Sequence, residues 1–215
     1  MTHHKVHLKK IAITGGIGSG KSTLTRALIN LGYAAFDADK LVSDVVLAPS
    51  VRLQIETILG QESYMENELG TVVYNRAWVR EQVFADEAKR KSLESVIHPA
   101  LFKAFDDICA QLQNLAGGIW VFYEAALVFE SERESFFDAV VSVVVPEEER
   151  RARLRASRNL TDDSISAIFA AQVSDSVRRS KSHFILENKG SKENLPLQAL
   201  ELLSDLRQFF HPKNH

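Results

Sequence analysis

Cysteine is nearly absent from this 215-residue sequence, in which Cys109 is the only example. A single cysteine cannot form an internal disulfide, so a disulfide-stabilised secreted domain is excluded. The same scarcity is typical of the reducing cytoplasm, where we expect this protein to act. Apolar neighbours at helical spacing predict that Cys109 is buried on one face of a helix.

A long apolar run and an excess of either charge are also missing. Lys and Arg number 26 against 28 Asp and Glu, for a formal net charge of −2. That balance gives no electrostatic reason to expect nucleic acid or an anionic membrane as a partner. After the basic N-terminus the apolar stretch is broken at Gly15 and Gly16. It is therefore too short for the apolar region of a signal sequence or for a membrane span. The sequence does not set the oligomeric state.

Without repeats or low-complexity linkers, the chain alternates strand and helix patterns. Strand-like runs begin near residues 11, 33, 119, 139 and 183. Continuously apolar runs suit parallel strands that are covered on both faces, so we predict an α/β fold with a five-stranded parallel sheet flanked by helices. The gap of about 80 residues between the second and third strands is too long for a simple crossover and predicts an inserted helical lobe. Within it, one helix is expected to stop before Pro99 and another to begin there.

The segment IAITGGIGSGKSTL (residues 11–24) predicts a phosphate-binding loop, or P-loop. Gly15 to Ser22 read G-x-x-x-x-G-K-S, after a strand and before a helix, which is the required context. The glycines let backbone N–H groups point inward at phosphate oxygens, and the helix N-terminus adds positive charge. Lys21 would contact the β and γ phosphates of ATP, and the Ser22 hydroxyl would bind Mg²⁺. The predicted nucleotide-binding residues are Gly16, Gly18, Ser19, Gly20, Lys21, Ser22 and Thr23.

Three classes of protein use such a loop. A switch GTPase needs D-x-x-G and N-K-x-D, and neither is present: the one N-K, at Asn188, continues with Gly190-Ser191. An ATP-driven motor would need a longer chain and, usually, an apolar strand ending in two acidic residues. The chain length, the helical insertion and the Arg-rich stretch of residues 150–158 favour a small-molecule kinase with a cationic lid.

Further along, the sequence resembles the dephospho-coenzyme A kinase family. The P-loop is followed by Asp-Ala-Asp (37–39) after the second strand, and YNRAWVREQVFADEAKRKSLESVIHPAL (74–101) is similar to the family's Leu-Glu-x-x-x-His-Pro segment. EAALVFE (124–130), RLRASRN (153–159) and FILENKGS (184–191) resemble its acceptor strand, its lid and its last strand and loop. The resemblance covers roughly residues 10–195.

The resemblance implies one P-loop kinase domain that transfers the γ-phosphoryl group of ATP to the ribose 3′-hydroxyl of dephospho-CoA, the last step of coenzyme A synthesis. The core would comprise about 1–46, 117–147 and 180–215, the acceptor-binding lobe 47–116 and the lid 148–179. The implied catalytic residues are Asp39, Lys21 and Arg153. Further nucleotide contacts would come from Arg158, Asn188 and Gly190, and acceptor contacts from Asp37, Asp39, Arg76, His98 and Leu127.

Several positions depart from the family's usual pattern, and several roles have plainer explanations. The departures are Glu124, Ala126, Asn159 and His183. Asp39 could instead cap a helix that begins at Lys40, Asp37 could serve a turn, and Arg76 and the lid arginines could be solvated. His98 could be fixed only by the proline after it. The alternative functions are a nucleoside monophosphate kinase and a nucleotide-sensing protein that transfers no phosphate.

Overall fold

The computed structural model of the chain describes residues 8–115, 120–158, 161–189 and 194–212. The strands are β1 Lys9–Thr14, β2 Ala34–Asp37, β3 Tyr64–Glu66, β4 Val72–Tyr74, β5 Trp120–Glu124, β6 Ala139–Val144 and β7 Phe184–Glu187. The helices are α1 Lys21–Asn30, α2 Ala38–Val45, α3 Pro49–Leu59, α4 Arg76–Ala85, α5 Glu87–Leu115, α6 Glu147–Arg158, α7 Asp162–Ala170, α8 Asp175–Lys181 and α9 Asn194–Phe210.

The main sheet has five parallel strands in the order β2-β5-β1-β6-β7. β1 lies at its centre, and every residue of β6 is buried, as its continuous apolar run predicts. α1 and α9 pack on one face of the sheet, where Leu24 and Leu28 of α1 are fully buried beside Ile11 and Ile13 of β1. The predicted α/β fold with a five-stranded parallel sheet is therefore confirmed.

The chain folds into two compact units. The first contains the described residues of ranges 1–37 and 117–215, and includes the five-stranded sheet. The second contains the described residues of 38–116, with α2 to α5 and an antiparallel hairpin of β3 and β4. The prediction that this stretch is mostly helical missed the hairpin. Its turn is formed locally, because the Asn67 side chain accepts hydrogen bonds from the backbone N–H groups of Leu69 and Thr71.

The predicted helix break at Pro99 is wrong, since α5 runs continuously through it. A proline inside a helix removes one backbone hydrogen bond and costs about 3 kcal/mol. Here the buried residues on α5 recur at multiples of four on both sides of the exposed Pro99, which keeps a single apolar stripe packed against α2, α3 and α4. The stripe comprises Leu93, Leu101, Phe105 and Cys109, and the predicted burial of Cys109 is confirmed.

Among the described residues, no helix combines the length and the apolar character that a membrane-spanning helix needs.

Candidate active site

The loop between β1 and α1 approaches its neighbours so closely that Gly15, Gly16 and Gly20 have no room for a Cβ. Gly20 has a φ of 102°, and a Cβ there would lie 2.5 Å from Asn188 Nδ2 and 2.9 Å from Leu195 Cδ1. A Cβ on Gly16 would lie 2.0 Å from Arg150 Nη1. The glycines of the motif thus let other parts of the same unit pack directly on the loop backbone.

Lys21 begins α1 and folds back over the loop. Its Nζ donates to the Gly15 carbonyl at 2.8 Å and to the Gly16 carbonyl at 3.2 Å. Ser22 is exposed in the first turn of α1, and Thr23 is half-buried beside it. The structure therefore places a cation and a hydroxyl at the positive end of a helix dipole, the arrangement that favours bound phosphate.

Asn188 and Arg153 each donate a hydrogen bond to a backbone carbonyl of the P-loop. The Asn188 side-chain amide donates to the Ser19 carbonyl at 2.6 Å, and the residue is almost fully buried. Arg153 Nη1 donates to the Gly18 carbonyl at 3.2 Å, and its Nη2 lies 3.5 Å from the Asn188 carbonyl. A nucleotide contact by Asn188 stays a prediction, whereas its contact with the loop is a feature of the fold.

The described arginines of the predicted lid divide into two groups. Arg151 and Arg155 form ion pairs with Glu147 and Asp162 at the surface. Arg150 and Arg153 instead contact P-loop residues, which their spacing of three on α6 permits. The Arg158 side chain and all of Gly190 lie outside the described residues.

Arg150 was part of the predicted cationic cluster but was not singled out, although its side chain is buried. Its side chain is 8% exposed. Nε donates to the Val145 carbonyl at 3.1 Å, and the guanidinium carbon lies 4.7 Å from the centre of the Phe169 ring. A hint was available in the sequence, because Leu154 follows four residues later and an apolar residue at that spacing marks the buried face of α6.

Behind the loop, the buried Arg150 joins a cluster of charges, made of the buried Arg178 and two half-buried carboxylates, that the sequence did not predict. Asp175 bridges Arg150 at 3.4 Å and Arg178 at 3.3 Å, and Arg178 also pairs with Glu130 at 3.3 Å. Burial lowers the pKa of the Arg178 guanidinium, and the two carboxylates beside it act in the opposite direction. Arrangements of this kind add little net stability, but removal of one partner typically costs about 3–5 kcal/mol.

Two carboxylates stand at the carboxyl edge of the sheet. Asp37 at the end of β2 is in register with Glu124 at the end of β5, and Glu124 is also in register with Ile13 on β1. The P-loop leaves β1 at this same edge, where α/β folds bind their ligands. Leu127 follows β5 and is 52% exposed.

In the second unit, the structure brings Arg76 and Asp39 together. Arg76 Nη2 donates to Ser43 Oγ at 2.6 Å and lies 3.4 Å from the Asp39 carbonyl. His98 is half-buried on α5. The alternative in which Asp39 caps a helix from Lys40 is wrong in its geometry, because α2 begins at Ala38 and Asp39 lies inside its first turn.

Comparison with known proteins gives a consistent result. The sequence profile described as dephospho-CoA kinase matches residues 9–194. A dephospho-CoA kinase of Thermobifida fusca is 30% identical over 204 residues, covering 95% of this chain and 99% of the relative.

Two solved structures share the fold. A Thermus thermophilus crystal structure superposes with a TM-score of 0.77 at 28% identity, covering 93% of this chain and 98% of the other. A dephospho-CoA kinase from Campylobacter jejuni gives a TM-score of 0.60 at 20% identity over 93% of this chain and 97% of the other, a level that shows the fold alone.

Proposed function

Because the chain belongs to the dephospho-CoA kinase family, we propose that it is an ATP-dependent kinase that phosphorylates dephospho-CoA in coenzyme A biosynthesis. The acceptor is the ribose 3′-hydroxyl, and the enzyme acts in the cytoplasm. The observation that carries the proposal is the P-loop between β1 and α1, on which Lys21 and Arg153 both converge.

The triphosphate is held by the loop and by the N-terminus of α1. Phosphoryl transfer needs little covalent help from the protein, so most of the rate comes from position and from charge placed around the phosphates. Lys21 supplies one such charge from the loop, and Arg153 supplies a second from α6. Both are preorganised by hydrogen bonds to backbone carbonyls, which reduces the reorganisation required during reaction.

The site offers an oxygen ligand for Mg²⁺, the ion that phosphoryl transfer from ATP requires. Ser22 offers a hydroxyl oxygen in the first turn of α1, and magnesium accepts few protein ligands when phosphates and water supply the rest. Among the described residues, no group of three or more His, Cys, Asp or Glu side chains is placed to hold a metal. Bound at Ser22, the ion would neutralise negative charge on the phosphates.

For the acceptor, we assign the general base to Asp39, with Asp37 as the second candidate. The assignment is supported by the family resemblance and by the position of Arg76 in the second unit. Arg76 donates a hydrogen bond to Ser43 Oγ and lies next to the Asp39 carbonyl. Arg76, His98 and Leu127 would bind dephospho-CoA. A carboxylate that orients the hydroxyl and accepts its proton is the group this reaction needs.

The proposal is tested by incubating the protein with ATP, Mg²⁺ and dephospho-CoA and measuring product by mass. Conversion to CoA is the expected result. Parallel reactions with nucleoside monophosphates and with shikimate test other acceptors, and turnover there without CoA formation would replace the proposal. ATP binding with no turnover on any acceptor would indicate a nucleotide sensor.

Arg153→Ala is expected to reduce kcat more than it raises the KM for ATP. A lid arginine acts mainly in the closed, reacting state, and loss of one preorganised donor costs about 2–4 kcal/mol of barrier. Steady-state kinetics with ATP varied at saturating dephospho-CoA would measure both constants. Arg151→Ala is the matched control, because Arg151 lies on the same helix but pairs with Glu147. A kcat for the Arg153 variant within a factor of two of wild type would show that Arg153 has no role in catalysis.

A further inference from the structure

One backbone N–H of the P-loop is already bound by a side chain from another part of the chain. Ile17 N–H donates to Gln172 Oε1 at 3.0 Å, across a separation of 155 residues. Gln172 lies just beyond the end of α7, and its Oε1 is also 3.5 Å from the place where a Cβ on Gly16 would stand. Since P-loops bind phosphate through the direction of their N–H groups, this bond fixes the orientation of the Gly16–Ile17 peptide.

The residue after Gln172 is held on both sides of its backbone. Val173 N–H donates to Glu130 Oε1 at 2.9 Å, and the Val173 carbonyl accepts a hydrogen bond from Arg178 Nη1. Glu130 and Arg178 pair with each other at 3.3 Å, and the Arg178 side chain is only 1% exposed. The buried Arg178 and the half-buried Glu130, which carry opposite charges, therefore fix the chain at the point where the Gln172 side chain extends toward the loop.

The same cluster reaches the neighbouring P-loop residue by a second route. Asp175 connects Arg178 to Arg150, whose guanidinium lies against Gly16. Arg150 also stacks on Phe169 in the last turn of α7, close in sequence to Gln172. Gly16 and Ile17 are thus contacted by Arg150 and Gln172, and both contacts depend on one cluster of buried charges.

We propose that Gln172 is a positioning residue for phosphoryl transfer, which fixes the Gly16–Ile17 peptide of the P-loop, and that the buried Glu130–Arg178 pair acts through it. The inference rests on the proposed kinase function. It accounts for a buried ion pair that stability alone explains poorly, because such pairs are often replaceable by apolar residues without loss. The pair instead specifies one position for Val173 and therefore for the side chain before it.

The first test is Gln172→Met, which keeps the length of the side chain and removes the hydrogen-bond acceptor. We expect kcat/KM for ATP to fall about 10- to 100-fold, since small misplacements in a site have effects of that order. The KM for dephospho-CoA and the melting temperature should stay at wild-type values. Gln54→Met is the matched control, because Gln54 is exposed on α3 and its amide donates to the Ser50 carbonyl of the same helix. Wild-type values of kcat/KM for ATP in the Gln172 variant would overturn the proposal.

A double-mutant cycle then asks whether Glu130 acts through Gln172. Glu130→Gln alone should lower kcat/KM for ATP, and it should lower it no further once Gln172 is already Met, because contacts in one network are not additive. Equal losses in both backgrounds would show that Glu130 acts independently and would refute that half of the proposal. The Gln172→Met comparison stands even if Glu130→Gln folds poorly.

Nucleotide affinity separates failure of this inference from failure of the proposed function. A fluorescent ATP analogue reports on the P-loop without any acceptor, and Gln172→Met is expected to weaken its binding at least about threefold. If wild-type protein binds the analogue but makes no CoA, the function is wrong and the affinity comparison still decides the role of Gln172. Unchanged affinity together with unchanged turnover would show that the Ile17 contact is only lid packing.

Discussion

Replacement of Lys21 by alanine is expected to lower turnover by about 10³-fold or more while the protein stays folded. The Lys21 ammonium lies over the P-loop, where it contacts the Gly15 and Gly16 carbonyls. In phosphoryl transfer, such cations stabilise the negative charge on the phosphates. Loss of the lysine is therefore expected mainly to slow the chemical step. Measurement of kcat for CoA formation beside a thermal melt of the same preparation would check both halves of the expectation.

Lys91→Ala provides the control for this experiment. Lys91 pairs with Glu87 at 3.1 Å on the exposed surface of α5, so its removal should change neither turnover nor melting appreciably. Near-normal CoA production by the Lys21 variant would exclude the kinase assignment itself, because phosphoryl transfer at a P-loop depends on cationic stabilisation of the phosphates.

The fold could be predicted because its signals are local. β5 and β6 are largely continuous apolar runs and β1 contains a shorter one, and a covered parallel sheet is the structure in which such runs are buried. The P-loop is also local, since one stretch of eight residues fixes its glycines, its lysine and its place before α1. Arg76 could be placed beside Asp39 only through the family resemblance, because 37 residues separate them and no pattern connects them.

The errors arose where tertiary packing overrides a local preference. Pro99 disfavours helix at the residue before it, but the buried stripe from Leu93 to Cys109 keeps α5 continuous. β3 and β4 are only three residues each, too short for an alternating pattern to be recognised. For α5 the stabilising contacts are those with α2, α3 and α4, which spacing along the chain does not show.

The buried charges behind the P-loop could not be predicted for a related reason. Arg178 and Glu130 each stand in a sequence rich in exposed charges, and neither carries a local mark of burial. They are 48 residues apart in the chain, and Gln172 is 155 residues from Ile17. Such a network is visible only once the fold brings α8, the segment after β5 and the P-loop together.

Asp39→Asn is expected to lower kcat by roughly 10²-fold, the usual range for removal of a general base, with little change in ATP affinity. The substitution keeps the size of the side chain and removes its charge and its capacity to accept a proton. Because Asp39 lies in the first turn of α2, its charge also interacts with the helix dipole, worth about 0.3–1 kcal/mol at most. In a chain of this length, that loss corresponds to a fall in melting temperature of no more than about 4 °C.

Asp163→Asn makes the same chemical change in the first turn of α7 and therefore isolates the dipole effect. A structural role for Asp39 predicts that the two variants behave alike, with small falls in melting temperature and normal turnover. A catalytic role predicts that only the Asp39 variant loses kcat. Phosphoryl transfer has a loose transition state, so the carboxylate would act partly by orienting the acceptor hydroxyl, and raising the pH should not rescue the Asn variant. Normal turnover by Asp39→Asn would remove Asp39 from the site, and Asp37, in register with Glu124 at the edge of the sheet, would become the carboxylate to replace.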